Sequence, residues 1–291
     1  MHRAASQGRR RPFRYRVMPN ASDQEFSSTR WPDTPISRRH LLTRLAPLGA
    51  LGVAAAACTS APSTGRSALV SSRPLAVIYR GPAGAPGCSE AVAALLESAP
   101  SPFRTAYCGP DEHLPLTSDT LATAAIYAQP GGGGDLPAAW DAMRPFAEPL
   151  RTWIRGGGRY LGFCMGGFLA GVDPGFGILP GDSGEYTTSP GATVHDDGDA
   201  SVELSWREAE RTVYFQGGPY FSIPPGDAAT VVARYSNGLA AAMVAPYGSG
   251  RVGVTGPHPE APASWYRESG LTVPHPLPFD MGYDLVQTTM G

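Results

Sequence analysis

The sequence predicts an α/β fold: a mostly parallel sheet with helices on both faces, and an antiparallel β extension. Two patterns lead to this prediction. From residue 75 to residue 171, short apolar runs alternate with longer runs that carry small or apolar residues at helical spacing, which is typical of strand–helix–strand units. After residue 171 the pattern changes to short strands between turns such as Asn237-Gly238.

The strand–helix units can be assigned in chain order. Strands are predicted at residues 75–79, 103–108, 124–128 and 160–163. Helices are predicted at residues 88–98 and at about 137–155, and the glycine run at residues 156–158 ends the second helix. In sheets of this kind, functional sites lie at the carboxyl ends of the strands.

The second half of the chain is predicted to be rich in β-strands. These are expected at residues 176–180, 192–195, 202–204, 212–215, 231–235, 240–244 and 251–254. They form the antiparallel extension, and the last strand leads to His258. The Pro-rich tail after Glu260 is expected only to pack over the body of the domain.

A cysteine follows the predicted strand 160–163, in the string Gly162-Phe163-Cys164-Met165-Gly166. This string has the form glycine-x-nucleophile-x-glycine, a sharp strand-to-helix turn that requires glycine on either side of the nucleophile. The turn would raise the sulfur above the sheet, and the N-terminus of the next helix would favour the thiolate. The alternative is a small buried core cysteine.

Two further loops carry groups that a thiolate nucleophile requires. A nucleophile of this kind needs a base, a carboxylate that orients the base, and backbone donors for the oxyanion. The string Gly256-Pro257-His258-Pro259-Glu260 offers the imidazole and the carboxylate, and the glycine loop at residues 130–134 offers the donors. All three segments follow predicted strands, so they should meet at one edge of the sheet.

Together, the strings PGGGG, GFCMGG and GPHPE resemble, in this order, the motifs of the class I glutamine amidotransferase-like superfamily. The most similar member is the domain at the N-terminus of eukaryotic biotin–protein ligases. The resemblance covers about residues 75–260 and implies a flavodoxin-like three-layer sandwich.

The resemblance also implies a role for each residue of the site. Cys164 would be the nucleophile, His258 the base and Glu260 the group that orients the base. The oxyanion hole would be formed by backbone N–H groups of Met165 and of either Gly131 or Gly132.

A glycine-rich aromatic loop at residues 214–221 is a candidate wall for a substrate pocket, and the family has a similar string there. Its candidate pocket residues are Gly217, Gly218 and Tyr220. The alternative is a purely structural turn. The acidic and histidine residues between positions 185 and 199 lack the paired spacing of a metal site, so we predict no metal and no cofactor.

The first 57 residues are predicted to be an export signal. They contain a twin arginine, Arg38-Arg39, followed by an apolar run at residues 45–57 that is short for a membrane span. The string Ala55-Ala56-Ala57-Cys58 resembles a bacterial lipobox, in which Cys58 would be acylated. A plain cleaved signal and an uncleaved anchor are the alternatives, and Met1 and Met18 are both candidate starts.

Residues 58–73 are rich in serine, proline and small residues and are predicted to be a flexible tether, and residues 74–291 form the α/β domain. We therefore expect a protein on the outer face of the bacterial cell membrane, held by a lipid anchor. A secreted or periplasmic protein is the alternative.

The charge distribution limits the partners. Residues 1–57 hold 10 arginines and three acidic residues, whereas the rest of the chain holds 13 arginines and 22 acidic residues. An acidic body argues against nucleic acid, whose binding requires neutralised phosphates. The chain has no lysine, which excludes Schiff-base chemistry and a phosphate-loop lysine. The expected partner is a small-molecule or peptide substrate with an amide or ester, and the oligomeric state stays open.

Cys88 and Cys108 remain as a pair once Cys58 and Cys164 have been assigned. Cys88 begins the first helix and Cys108 ends the second strand, so neighbouring parallel strands would bring both to one sheet edge. Because an exported compartment permits disulfides, we predict a Cys88–Cys108 disulfide, with two free thiols as the alternative.

Three functions fit these observations: an exported cysteine hydrolase or amidase, a non-catalytic binding or regulatory module on the same fold, and a structural surface lipoprotein. The complete set of Cys164, His258 and Glu260 favours the first. The 291 residues of the sequence include no ATP motif and no biotin-ligase catalytic region, so we expect neither ammonia channelling nor biotin transfer.

Overall fold

A computed structural model describes residues 73–291 of the chain, and within them eleven strands form one sheet. The strands are β1 (Leu75–Tyr79), β2 (Arg104–Cys108), β3 (Ile126–Gln129), β4 (Arg159–Phe163), β5 (Ser183–Glu185), β6 (Ala200–Trp206), β7 (Ala209–Phe215), β8 (Pro219–Phe221), β9 (Thr230–Tyr235), β10 (Ala240–Tyr247) and β11 (Gly250–Thr255). The α-helices are α1 (Cys88–Ser98), α2 (Ser118–Ala122), α3 (Leu136–Met143), α4 (Ala147–Arg155), α5 (Met165–Leu169), α6 (Ala263–Glu268) and α7 (Phe279–Met290).

The strand order confirms the predicted architecture. It runs β2-β1-β3-β4-β11-β10-β9-β6-β7, with β8 joined to β10 and to β5 at the side. Strands β1 to β4 and β11 pair in parallel. From β10 onward the pairing is antiparallel. The result is a flavodoxin-like α/β fold with an antiparallel β extension.

Both faces of the sheet are covered because successive residues of a strand face opposite sides. In β1, Val77 and Tyr79 face a core shared with α2, α3 and α4. Ala76 and Ile78 face the opposite core, which is shared with α1 and α7. A third core fills the β extension and includes Leu285 of α7.

The helix predicted at about 137–155 is divided in two. Helix α3 ends at Met143, a 3₁₀ turn spans Arg144–Phe146, and α4 begins at Ala147. Pro145 explains the break because it lacks an N–H group and cannot continue the hydrogen-bond ladder.

Two predicted strands, at residues 176–180 and 192–195, are wrong. Phe176 is buried but its N–H group donates to the carbonyl oxygen of Leu169 at 2.6 Å, which folds the segment back onto α5. An apolar run predicts burial without specifying sheet pairing. The sequence patterns also do not predict the short helices α2 and α6, nor α7.

The predicted export signal, the acylation site Cys58 and most of the tether lie outside the described residues. Among residues 73–291, no helix combines the length and apolar character that crossing a membrane requires.

Candidate active site

Cys164 lies between β4 and α5 in a strained backbone conformation. Its φ is 47° and its ψ is −102°, a combination that residues other than glycine rarely adopt and that the surrounding structure must hold in place. Its N–H group donates to the carbonyl oxygen of Thr255 in β11 at 2.9 Å. The hydroxyl of Tyr160 donates to the carbonyl oxygen of Gly166 at 2.7 Å. These bonds hold the turn from both sides.

Close backbone contacts require both glycines of the turn. A Cβ atom on Gly162 would lie 2.5 Å from the carbonyl oxygen of Gly166. A Cβ atom on Gly166 would lie 2.2 Å from the carbonyl oxygen of Gln129 at the end of β3. The structure therefore agrees with the sequence argument that only glycine fits at these positions.

His258 and Glu260 lie in the loop after β11, and both are buried. Nδ1 of His258 is 2.8 Å from Oε1 of Glu260. The N–H group of His258 donates to the carbonyl oxygen of Tyr214 at 2.8 Å, and the hydroxyl of Thr255 donates to that of Pro257 at 3.0 Å. Because Nδ1 faces the carboxylate, Nε2 is the ring nitrogen left for another partner.

The surroundings of His258 favour the imidazolium. Burial alone lowers the pKa of His258, but the charge of Glu260, together with that of Cys164 when it is a thiolate, outweighs burial and raises this pKa to about 10. The thiol of Cys164 donates its hydrogen bond to the carbonyl oxygen of Gln216, at 3.6 Å. Glu260 thus contacts the imidazole directly, Cys164 is near enough to influence its pKa, and the sulfur itself is hydrogen-bonded to Gln216.

The glycine loop after β3 borders the same site. A Cβ atom on Gly131 would lie 2.9 Å from Cε1 of His258, and one on Gly132 would lie 2.8 Å from Cγ of Met165. Met165 is the first residue of α5, so its N–H group has no partner within the helix. The three predicted oxyanion donors therefore lie beside the Cys164 turn or against His258.

A cleft of about 270 Å³ opens beside His258. Its lining includes Cys88, Gly132, Gln216 and Trp265. Cys164 is not part of this lining and is 7% exposed, so access to the sulfur is narrow.

Within the described residues, the predicted pocket residues Gly217, Gly218 and Tyr220 do not line this cleft. A Cβ atom on Gly218 would lie 2.2 Å from the carbonyl oxygen of Gly256, and Tyr220 packs across Gly184. The close contacts of Gly218 and Tyr220 agree with the structural turn that was the alternative, and the pocket assignment of the three residues stays a prediction. The same segment contributes to the cleft through Gln216 and Tyr214 instead.

The tail after Glu260 does more than pack over the body of the domain. Helix α6 supplies Trp265 and Glu268 to the cleft, and Ser269 follows them. The ring of Trp265 stands edge-on to that of His258, with 5.5 Å between the ring centroids. Nothing in the Pro-rich, aromatic composition of the tail distinguishes this role from packing.

Asp199 also lines the cleft. The sequence pattern did not indicate this role, since acidic residues in turns are usually solvated. The carboxylate of Asp199 accepts hydrogen bonds from the hydroxyls of Tyr214 and Ser269. These bonds connect the start of β6, the end of β7 and the end of α6 at the cleft.

The predicted Cys88–Cys108 disulfide is wrong, because both thiols are free and buried. Cys108 lies beside Tyr79 in the β1–β2 register, and both face the core formed with α2 to α4. Helix α1 covers the opposite face, and Cys88 at its start lines the cleft, whereas Cys108 does not. Burial, with the charges of Glu260 and Cys164, raises the pKa of Cys88 to about 12, which keeps it a neutral thiol.

No protein-family model matches this chain, and no curated protein matches it. Solved structures do. The PurLQS structure from Thermotoga maritima aligns with a TM-score of 0.51 at 18% identity, over 75% of this chain and 98% of that one. A glutamine amidotransferase from Methylobacillus flagellatus aligns with a TM-score of 0.40 at 20% identity, over 67% and 74%. A cytoplasmic protein from Salmonella typhimurium LT2 aligns with a TM-score of 0.44 at 12% identity, over 74% and 98%.

The likeness to PurLQS agrees with the flavodoxin-like α/β architecture of the sheet, and membership of the glutamine amidotransferase-like superfamily stays a prediction. At 18% identity this likeness is one of fold alone. The narrower resemblance to the biotin–protein ligase domain stays a prediction.

Proposed function

We propose that this protein is a cysteine hydrolase or amidase that cleaves an amide or ester through a thioester on Cys164. The observation that carries the proposal is the meeting of three groups from separate strand ends: the Cys164 turn, the His258–Glu260 pair and the glycine loop. The contact of His258 with Glu260 supports it, because the carboxylate favours an imidazolium at His258, and an imidazolium beside the sulfur attracts the negative charge of a thiolate.

In the first half of the reaction, the thiolate of Cys164 attacks the carbonyl carbon and the carbonyl electron pair moves to the oxygen. The oxyanion accepts hydrogen bonds from the N–H group of Met165 and from Gly131 or Gly132. His258 donates its proton to the leaving amine or alcohol as the C–N or C–O bond breaks. A thioester on Cys164 results.

In the second half, water attacks the thioester and neutral His258 accepts the proton of that water through Nε2. The C–S bond breaks, the acid product leaves, and the thiolate and imidazolium are restored. Glu260 stays ionised throughout and holds the Nδ1–H group, which keeps Nε2 facing the reaction.

A binding or regulatory role is the second candidate, and one observation favours it. The thiol of Cys164 is hydrogen-bonded to the carbonyl oxygen of Gln216, and the residue is 7% exposed. In this role the cleft would hold a ligand without turnover.

An acyl-transfer experiment separates the two roles. Incubation with a p-nitrophenyl ester should place one acyl group on Cys164, detected by mass spectrometry of the peptides. The wild-type protein should then release the acyl group, the His258→Ala variant should release it more slowly, and Cys164→Ser should carry none at this position. The binding role would be favoured if the wild-type protein neither gained nor released the acyl group on Cys164 faster than the His258→Ala variant.

We also propose that the protein is exported and lipid-anchored at the outer face of the cell membrane. The twin arginine Arg38-Arg39 and the lipobox-like string ending at Cys58 support this. Cells fed an alkyne fatty acid should label the protein, and the Cys58→Ser variant should lose the label. Equal labelling of the variant would exclude acylation at Cys58.

A further inference from the structure

The cleft beside His258 carries negative charge without a matching cation. Asp199 and Glu268 are in its lining and are exposed, whereas none of the described residues that line it is an arginine. The chain has no lysine. His258 is paired with Glu260, so its positive charge is already matched. A carboxylate on a ligand would therefore be repelled here.

The aromatic side chains of the cleft favour the opposite charge. The rings of Tyr214 and Trp265 lie 5.4 Å apart at an interplanar angle of 56°. The faces of such rings attract cations. Asp199 is held beside them by hydrogen bonds from Tyr214 and Ser269, so its charge has a defined position. Within residues 73–291, Glu268 forms no ion pair, so its charge is available to a ligand.

We infer that the cleft binds the cationic part of the substrate, an ammonium or guanidinium group on the molecule that carries the scissile amide or ester. The inference rests on the proposed function for the reaction and adds the substrate class. Free glutamine fits the cleft poorly, because its α-carboxylate would face Asp199 and Glu268 with no arginine to bind it.

Charged thiol reagents test this inference without a known substrate. Three methanethiosulfonates of similar size, with a trimethylammonium, a neutral and a sulfonate group, would be reacted with the full chain. The rate at Cys164 would be measured by peptide mass spectrometry and divided by the rate with a small free thiol. We expect the cationic reagent to exceed the anionic one by roughly tenfold at low ionic strength, with a smaller ratio in high salt.

The variants assign the effect to the cleft. Glu268→Gln should lower the cation-to-anion ratio by roughly threefold. Glu210→Gln, at an exposed position of β7 outside the cleft lining, should leave the ratio unchanged. His258→Ala should slow all three reagents, which tests the proposed function separately.

A cation-to-anion rate ratio near one, or a ratio that Glu268→Gln does not change, would overturn the cationic substrate class. The proposed function would still stand if the rates at Cys164 fall in His258→Ala. If none of the three reagents modifies Cys164, the cleft does not lead to the sulfur, and both proposals are overturned.

Discussion

Nδ1 of His258 lies 2.8 Å from Oε1 of Glu260, and both side chains are buried in the loop after β11. Within residues 73–291, the second carboxylate oxygen of Glu260 has no hydrogen-bond partner. The charge of this carboxylate is therefore balanced mainly by the imidazole, so the protonation of His258 depends on it. This dependence makes the pH profile a direct probe of the site.

Replacing Glu260 by glutamine should move the alkaline limb of activity to lower pH. Burial lowers the pKa of His258, but Glu260 and Cys164 together raise it from its usual value of 6.5 to about 10. The proton that His258 gives to the leaving group is present below that pKa and is lost as the pH rises through it. Without the carboxylate the pKa falls, and we expect a shift of about 1–3 pH units. Hydrolysis rates from pH 6 to 11 measure it.

Glu210→Gln is the matched control for this shift, since Glu210 is exposed on β7. An alkaline limb that stays in place in Glu260→Gln would show that the carboxylate does not govern the proton on His258.

Adding a methyl group at Gly166 should destabilise the fold and disturb the site. The new Cβ atom would lie 2.2 Å from the carbonyl oxygen of Gln129, so the backbone must shift. We expect Gly166→Ala to lower the free energy of unfolding by about 3 kcal/mol or more. Gly133→Ala is the control, because nothing lies within 4 Å of a Cβ atom there. Urea unfolding of both variants checks this, and equal stabilities would contradict the geometry of the turn.

Removing the hydroxyl of Tyr266 should cost more than removing an exposed one. The N–H group of Tyr214 donates to this hydroxyl at 2.9 Å in a buried position. Tyr266→Phe leaves the N–H group unpaired, which costs about 1–3 kcal/mol.

The hydroxyl of Tyr283 donates to Ser98 at an exposed position, so Tyr283→Phe should change stability by less than about 0.5 kcal/mol. Thermal unfolding of the two variants gives the comparison. The account of this contact fails if Tyr283→Phe proves the more damaging.

The cysteines Cys88 and Cys108 should be free thiols in the purified protein. After unfolding without reductant, iodoacetamide should label both to the same extent as after reduction, because both thiols are free, with Cys108 in the core and Cys88 at the cleft. Peptide mass spectrometry measures the labelling. A linked Cys88–Cys108 peptide before reduction would restore the disulfide prediction.

The parallel half of the fold could be predicted from sequence because local patterns determine it. Strand β1 is buried on both faces and reads as a continuous apolar run, and α1 follows it after a Gly/Pro loop. The β extension was harder, because Phe176 fills the core without pairing in a sheet. Burial of that residue could be predicted, and its backbone partner could not.

In the site, too, local sequence patterns predict some features, whereas others depend on tertiary contacts. Gly162 and Gly166 identify the turn at Cys164 because their close contacts exclude any side chain. The cleft wall could not be predicted, since it depends on how α6 folds back over the loops. Trp265 and Asp199 reach the cleft through contacts with Tyr214, which no spacing in the sequence encodes.

The central claim is that His258 activates the sulfur of Cys164, and the alkylation rate of this one thiol tests it most directly. In the native protein at neutral pH, iodoacetamide should modify Cys164 at least about tenfold faster than Cys88 or Cys108. The His258→Ala variant should lose most of that advantage. If Cys164 reacts no faster than an ordinary free cysteine and its rate is the same in His258→Ala, the enzyme proposal is contradicted.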